Sequence, residues 1–111
     1  MSRSRDLSEV LQLDRLIHEP ARLLILSILA GAESVEFGFV EQVSGLSKGN
    51  LSSHLAKLEA AGLIDIDKSF RGKRPLTTLR MTAQGRRALA EYRERLAGVV
   101  AGIPKLDRRK S

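Results

Sequence analysis

The segment of residues 39–61 constrains the fold more than any other part of the chain. Two short helical patterns meet there at Gly45, and Ser47 is a good N-cap for the second of them. That second pattern has leucines at positions 51, 55 and 58, which fall on one face of a helix. Gly62 then stands where a helix commonly ends in the left-handed conformation. The segment therefore predicts two helices that cross steeply, because a connection of about three residues allows little else.

After Gly62 the period of the apolar residues changes to two. The alternating apolar positions are Ile64, Ile66, Leu79 and Met81. Such alternation is typical of strands that bury one face. We therefore predict an antiparallel hairpin over residues 63–81, with a loop from Ser69 to Pro75 between its strands.

The rest of the chain predicts three more helices and a short strand. Helical patterns cover residues 7–17, 21–30 and 83–103, and residues 34–37 form the short strand. Together these elements give the order helix, helix, short strand, helix, helix, hairpin, helix. We therefore predict a winged helix-turn-helix, mainly α with a small β-hairpin (α+β). A length of 111 residues is near the commonest domain size, so we expect a single domain over residues 1–111.

Composition excludes several classes of function. The chain has no Cys, so it has no disulfide, thiolate metal site or Cys nucleophile. Its two histidines have no acidic cluster at ligand spacing, and no nucleophile–base pair or phosphate-binding loop is visible. We therefore expect no catalytic residues, metal or cofactor. No apolar run approaches the ~18 residues of a membrane span, and we expect a cytoplasmic protein that does not bind membranes.

The net charge of +6 is distributed unevenly. Residues 1–70 hold seven Lys/Arg and ten Asp/Glu, whereas residues 71–111 hold twelve Lys/Arg and three Asp/Glu. Such one-sided charge indicates a polyanionic partner or a membrane surface. Four of the basic residues lie in the last seven positions, where a merely solubilising tail is the alternative. The other basic residues need a different explanation.

The second helix of the 39–61 pair has a compact, polar outer face. Its first turn carries no acid, which leaves backbone N–H groups for an external anion, and Gly49 lets a phosphate come close. Compact outer side chains also allow a helix to reach base edges in a major groove. The residues expected to contact phosphates and the groove edge are Ser47, Lys48, Gly49 and Asn50, and those expected to approach bases are Ser52, Ser53, His54 and Lys57. An ordinary solvated face is the alternative, and for His54 the favoured alternative is packing on a neighbouring element.

The predicted hairpin is strongly basic. Five basic residues lie within thirteen positions that contain no acid, namely Lys68, Arg71, Lys73, Arg74 and Arg80. We expect Arg71, Lys73 and Arg74 to hold DNA phosphates or to enter the minor groove. A soluble, mobile loop is the alternative.

The two terminal helices have more apolar surface than a small domain can cover. In the last helix the stripe runs through Leu89, Leu96, Val99, Val100 and Ile103. We predict a homodimer in which helices 7–17 and 83–103 pack across a two-fold axis. Packing of the first helix on the last within one chain is the alternative.

Several of these segments resemble a known family. Leu46–Leu55, followed by Leu58–Ile64, resembles the helix-turn-helix of MarR-type and ArsR-type regulators, and the pattern around it is similar to compact winged-helix regulators related to MarR. The other matching segments are Leu13–His18, Arg22, Ile25-Leu26, Phe37, Ser69–Pro75, Thr77-Thr78 and Leu79–Arg86. The resemblance covers about residues 13–95.

The resemblance implies a dimeric transcription regulator of bacteria or archaea. Residues 47–61 would enter the major groove, and residues 70–75 would lie on the flanking DNA. The cysteine-containing metal motif of ArsR-type sensors is missing, so metal sensing is not carried over, and an unknown small-molecule effector is left open. We therefore interpret the chain as a sequence-specific, homodimeric regulator that binds double-stranded DNA. A non-specific architectural DNA-binding protein and a winged-helix protein-interaction module are the alternatives.

Overall fold

The computed structural model describes the backbone of residues 7–110 and the side chains of residues 7–102. The elements of this range are α1 Leu7–His18, α2 Pro20–Ala30, β1 Val35–Glu36, α3 Phe37–Ser44, α4 Lys48–Ala60, β2 Ile64–Arg71, β3 Arg74–Met81 and α5 Ala83–Lys110. Their order is the one predicted, and the winged helix-turn-helix fold class is confirmed. Within the described range, no helix has both the length and the apolar character of a membrane span.

Local side-chain chemistry begins and ends the helices. The Ser47 hydroxyl accepts the Asn50 N–H at the start of α4, at 3.1 Å. The Thr82 hydroxyl accepts the Gly85 N–H at the start of α5, at 2.9 Å. Gly45 ends α3 with φ 73°, a left-handed conformation that favours glycine. The caps at Ser47 and Gly45 are the ones expected from the sequence, and all three caps satisfy backbone groups that a helix end leaves unpaired.

One aliphatic core joins all the helices to the sheet. α2 is apolar nearly all round and lies at its centre, with Ile25, Leu26 and Leu29 buried. The three leucines of α4 are also buried, as the sequence pattern predicts. The other buried apolar residues are Ile17, Val40, Leu63, Ile64, Leu79, Met81, Ala88, Leu89 and Tyr92.

The sheet has the strand order β1-β3-β2, and both pairings are antiparallel. The prediction of a loop from Ser69 to Pro75 is wrong, since the strands continue through those positions to a turn at Gly72 and Lys73. Gly72 has φ 64°, which allows so tight a turn. Pro75 is tolerated in β3 because β1 pairs only with Thr78 and Leu79 farther along that strand.

Helix bounds differ from the predicted ones by small amounts, except in α5. α3 begins at Phe37 rather than residue 39, and α4 ends at Ala60. α5 continues to Lys110, beyond the predicted end at residue 103. The side chain of Ile103 lies outside the described residues.

α1 packs on α5 within the chain, which is the arrangement that the sequence offered as the alternative to a dimer. Asp14 accepts two hydrogen bonds from the Arg95 guanidinium, which raise the pKa of Arg95 above its ordinary value. His18 Nδ1 shares a hydrogen bond with the Tyr92 hydroxyl one helical turn away. These contacts fix where α5 leaves the domain, but they do not cover its apolar residues beyond Leu96.

Candidate nucleic-acid interface

α4 presents an open face on the side opposite its buried leucines. Gly49, Ser53 and Ala56 lie along the middle of that face, and all three are exposed. Asn50 and Lys57 are exposed on one flank of it, and Lys48 and Ser52 on the other. Because the central side chains are short, the helix backbone can approach a flat or grooved partner closely.

The start of α4 has the electrostatics expected of an anion site. Its first turn contains no acidic residue, so the positive end of the helix dipole is not compensated there. A Cβ added at Gly49 would meet nothing within 4 Å, so the protein itself does not require glycine at this position. A physical reason for glycine at this position is that it leaves space for an external group, such as a phosphate, next to the helix backbone.

The hairpin lies beside α4 and presents one of its two faces to that helix. Residues paired across antiparallel strands share a face, and successive pairs alternate between faces. The α4 side carries the pairs Ile64–Met81, Ile66–Leu79, Lys68–Thr77 and Phe70–Pro75, and the outer side carries Asp65–Arg80, Asp67–Thr78, Ser69–Leu76 and Arg71–Arg74. The first two pairs on the α4 side enter the core, whereas the last lies beyond it.

A cleft of about 410 Å³ separates α4 from the hairpin. Lys48 and Ser52 line it from the helix, and Lys68 and Thr77 line it from the strands. Glu59 contributes an acid at its far end. Lys48 and Lys68 lie on opposite walls of the cleft, at the end away from Glu59, and they make that end suitable for a phosphate group.

The basic residues predicted at the hairpin tip are all exposed, but they differ in their surroundings. Lys73 lies in the turn itself. Arg71 lies on the outer face and donates a hydrogen bond to the Glu36 carboxylate at 2.8 Å. The Arg71 and Glu36 side chains are 69% and 47% exposed, and an ion pair as exposed as this contributes about 0–1 kcal/mol to stability. A phosphate can therefore replace Glu36 as the partner of Arg71 at little cost in free energy.

His54 is the one predicted site residue that is partly withdrawn from the surface. It is half-buried, and its Nδ1 accepts a hydrogen bond from Arg22 Nη1 at 3.3 Å. Arg22 Nε also donates to the Leu16 carbonyl oxygen, so this arginine joins the end of α1 to the middle of α4. The packing role that the sequence left open for His54 is thus present.

Two residues of this surface were not among the predicted site residues. Lys68 lines the cleft and Phe70 stands exposed near the hairpin tip. Both could have been found by extending the period-two pattern of Ile64 and Ile66 beyond the point where its apolar positions end. The Arg22–His54 contact had no comparable signal, because it joins residues 32 positions apart.

The described residues contain no group of three His, Cys, Asp or Glu side chains able to hold a metal ion.

Comparison with known proteins is consistent with this geometry. Residues 21–100 match the model of the winged helix DNA-binding domain family. The chain is 35% identical over 78 residues to an uncharacterized protein of Methanocaldococcus jannaschii, an alignment that covers 70% of this chain and 85% of the relative.

Solved structures agree with that match. A transcriptional regulator homologue from Pyrococcus horikoshii OT3 superposes with a TM-score of 0.78 at 29% identity, over 87% of this chain and 95% of the other. A structure described as a MarR-family transcriptional regulator from Enterococcus faecalis V583 shares the fold, with a TM-score of 0.71 at 18% identity over 96% of both chains. The predicted resemblance to winged-helix regulators is confirmed, and the structure described as a MarR-family regulator shares the fold. The chain thus belongs to the winged helix DNA-binding domain family of transcription regulators.

Proposed function

We propose that this chain is a sequence-specific transcription regulator that binds double-stranded DNA as a homodimer. The observation that carries the proposal is the division of α4 into two faces. Its leucines are buried, whereas the small and polar side chains opposite them are open to solvent and lie next to a basic hairpin. That arrangement fits a helix in the major groove with a wing on the flanking backbone.

Different parts of this surface have different tasks in the proposal. Asn50, Ser53 and Lys57 face outward from α4, where hydrogen-bonding side chains reach base edges. Arg71, Lys73 and Arg74 are exposed at the hairpin tip and contact phosphates or the minor groove, which adds affinity that does not depend on sequence.

The homodimer is supported by apolar residues that the described chain leaves uncovered on its terminal helices. They are Leu7, Leu11, Leu96, Val99 and Val100, with exposed fractions from 40% to 72%. Leu7 and Leu11 are one turn apart in α1, and α1 lies against α5 through the Asp14–Arg95 ion pair. A second copy that packs on these helices would bury the apolar residues and present two α4 helices to one duplex. Their half-sites would then be about one helical turn, ~34 Å, apart.

A salt titration and a selection test DNA binding together. Alanine at Arg71, Lys73 and Arg74 should weaken binding to every duplex and reduce the slope of log affinity against log salt by up to about 2.7, since each phosphate contact contributes about 0.9. Asn50→Ala and Ser53→Ala should instead change which sequences a random duplex pool enriches. Affinity is measured by fluorescence anisotropy.

Matched variants make the test decisive. Arg93→Ala removes one exposed charge from α5 and should leave the salt slope unchanged, whereas Lys73→Ala should lower it. Identical effects of the α4 and hairpin variants on all duplexes would contradict base recognition by α4. An unmodified protein that enriches no sequence would be an architectural DNA-binding protein. One that shows no salt-dependent affinity for duplex DNA would be a protein-interaction module.

The dimer has its own test. Val99→Glu should give a monomer in analytical ultracentrifugation and weaken binding to a two-half-site duplex far more than to a single half-site. Ala101→Glu places the same charge on another side of α5 and should remain dimeric. A Val99→Glu protein that stays dimeric would contradict the proposed interface.

A further inference from the structure

The hairpin ends in an apolar pair that the described part of the chain does not cover. Phe70 is 71% exposed, and Pro75, its cross-strand partner, is exposed as well. Single exposed apolar side chains are common on protein surfaces. These two are opposed on one face, however, and they lie where the strands project beyond the core.

The face on which the pair lies is the one turned toward α4. Phe70 follows Ile66 and Lys68 in the period-two order of β2, and Ile66 and Lys68 both line the cleft beside α4. Arg71 lies on the opposite face and is held there by Glu36. The side chain at the hairpin tip that shares the α4 side of the sheet is thus aromatic rather than basic.

The distances suit the grooves of a duplex. Phe70 is four residues beyond Ile66, which corresponds to roughly 13 Å along a strand. Adjacent major and minor grooves are separated by half a helical turn, roughly 17 Å. Because Ile66 lies at the cleft beside α4, the Phe70–Pro75 pair is about that far from α4 along the hairpin, which brings the neighbouring minor groove within its reach when α4 lies in a major groove.

The surrounding charge favours DNA as the occupant over a second copy of the chain. From Lys68 to Arg80 the sequence contains four further basic residues and no acid. An apolar pair surrounded by basic residues fits a partner that is polyanionic outside and apolar inside. Duplex DNA has both properties, because its stacked bases lie between two phosphate backbones. Phe and Pro are among the side chains that minor-groove proteins insert between base steps.

We propose that Phe70 and Pro75 form an apolar wedge that enters a minor-groove base step beside the α4 site and bends the duplex. This inference rests on the proposed DNA binding. It adds a source of specificity that needs no hydrogen bond to a base, because pyrimidine–purine steps unstack most easily and would be preferred at the wedge.

The test uses the full chain and a duplex recovered by selection or, if none is enriched, a mixed-sequence duplex containing TA steps. Fluorescence of 2-aminopurine next to the step measures unstacking, and energy transfer between the duplex ends measures bending. Phe70→Ala should remove both signals and weaken binding by roughly tenfold, the loss expected for one stacking contact. Phe70→Leu should keep much of both, since leucine also serves as a wedge. Ser69→Ala, on the outer face of β2, is the matched control and should change neither signal.

The outcomes separate this inference from the function beneath it. Salt-dependent binding by the unmodified protein, with unchanged fluorescence and affinity in Phe70→Ala, would overturn the wedge and leave DNA binding intact. A change of oligomeric state in Phe70→Ala would also overturn the wedge, because it would assign the residue to contact between copies. If the unmodified protein binds no duplex, the proposed function fails and the wedge fails with it. Unfolding curves of Phe70→Ala should match those of the unmodified protein, because the side chain is exposed.

Discussion

Gly85 offers a sharp test of how the hairpin is attached to the last helix. A Cβ built at this position would lie 2.1 Å from the Leu63 carbonyl oxygen and 2.9 Å from its carbon, where ordinary contact begins at 3.4 Å. The Leu63 carbonyl cannot move away easily, because it accepts the Thr82 N–H at 3.0 Å while the Leu63 N–H donates to Leu58. Leu63 and Thr82 flank the two ends of the hairpin, so an overlap here also disturbs the wing.

The magnitude follows from two opposing effects. Overpacking costs about 1–3 kcal/mol, and the upper end applies where the neighbour is backbone held by hydrogen bonds. Alanine is favoured over glycine in a helix by about 1 kcal/mol, which offsets part of that cost. Gly85→Ala should therefore destabilise the protein by about 2 kcal/mol and lower its melting temperature by roughly 10 °C.

The assays are urea unfolding and thermal unfolding, both followed by circular dichroism at fixed protein concentration. Gly98→Ala is the matched control, since its Cβ would meet nothing within 4 Å in the same helix. It should raise stability by up to about 1 kcal/mol. If Gly85→Ala were as stable as Gly98→Ala, the close approach of α5 to Leu63 would be refuted.

Two further predictions concern the interface and the acid range. Gly49→Ala should stabilise α4 by up to about 1 kcal/mol yet weaken duplex binding by roughly tenfold, because the new Cβ keeps a phosphate from the helix backbone. Thermal unfolding measures the change in stability, and fluorescence anisotropy measures the change in affinity. An unchanged affinity would exclude the close approach of a phosphate to Gly49. The Arg22 N–H donates to the Glu19 carboxylate and lowers the pKa of Glu19 below its ordinary 4.5. The stability that this carboxylate adds is thus complete at pH values above its ordinary pKa. It is lost as the pH falls through the lower pKa of the folded state. Glu19→Gln should be less stable than the unmodified protein at neutral pH and equal to it in strong acid, and an equal deficit at both pH values would contradict this assignment.

The sequence predicted well wherever the cause of structure is local. Ser47, Gly45 and Gly62 begin or end elements through bonds and dihedral angles within a few residues, so their roles were visible from position alone. The leucine face of α4 follows from helical periodicity in the same way. The Ser69–Pro75 segment was misassigned because its composition is typical of a loop, whereas pairing between β2 and β3 extends the strands.

By itself, then, the sequence determined the order of elements, the buried face of α4 and the basic character of the hairpin. Tertiary structure decided which hairpin side chains face α4, since that depends on strand register and on the side of the sheet where the helix packs. It turned Lys68 toward α4 and placed Phe70 on the same face of β2, and it joined Arg71 to Glu36, 35 residues away, on the other face. Contacts between distant positions have no periodic trace in a single chain, because their energies arise only after the elements have packed together.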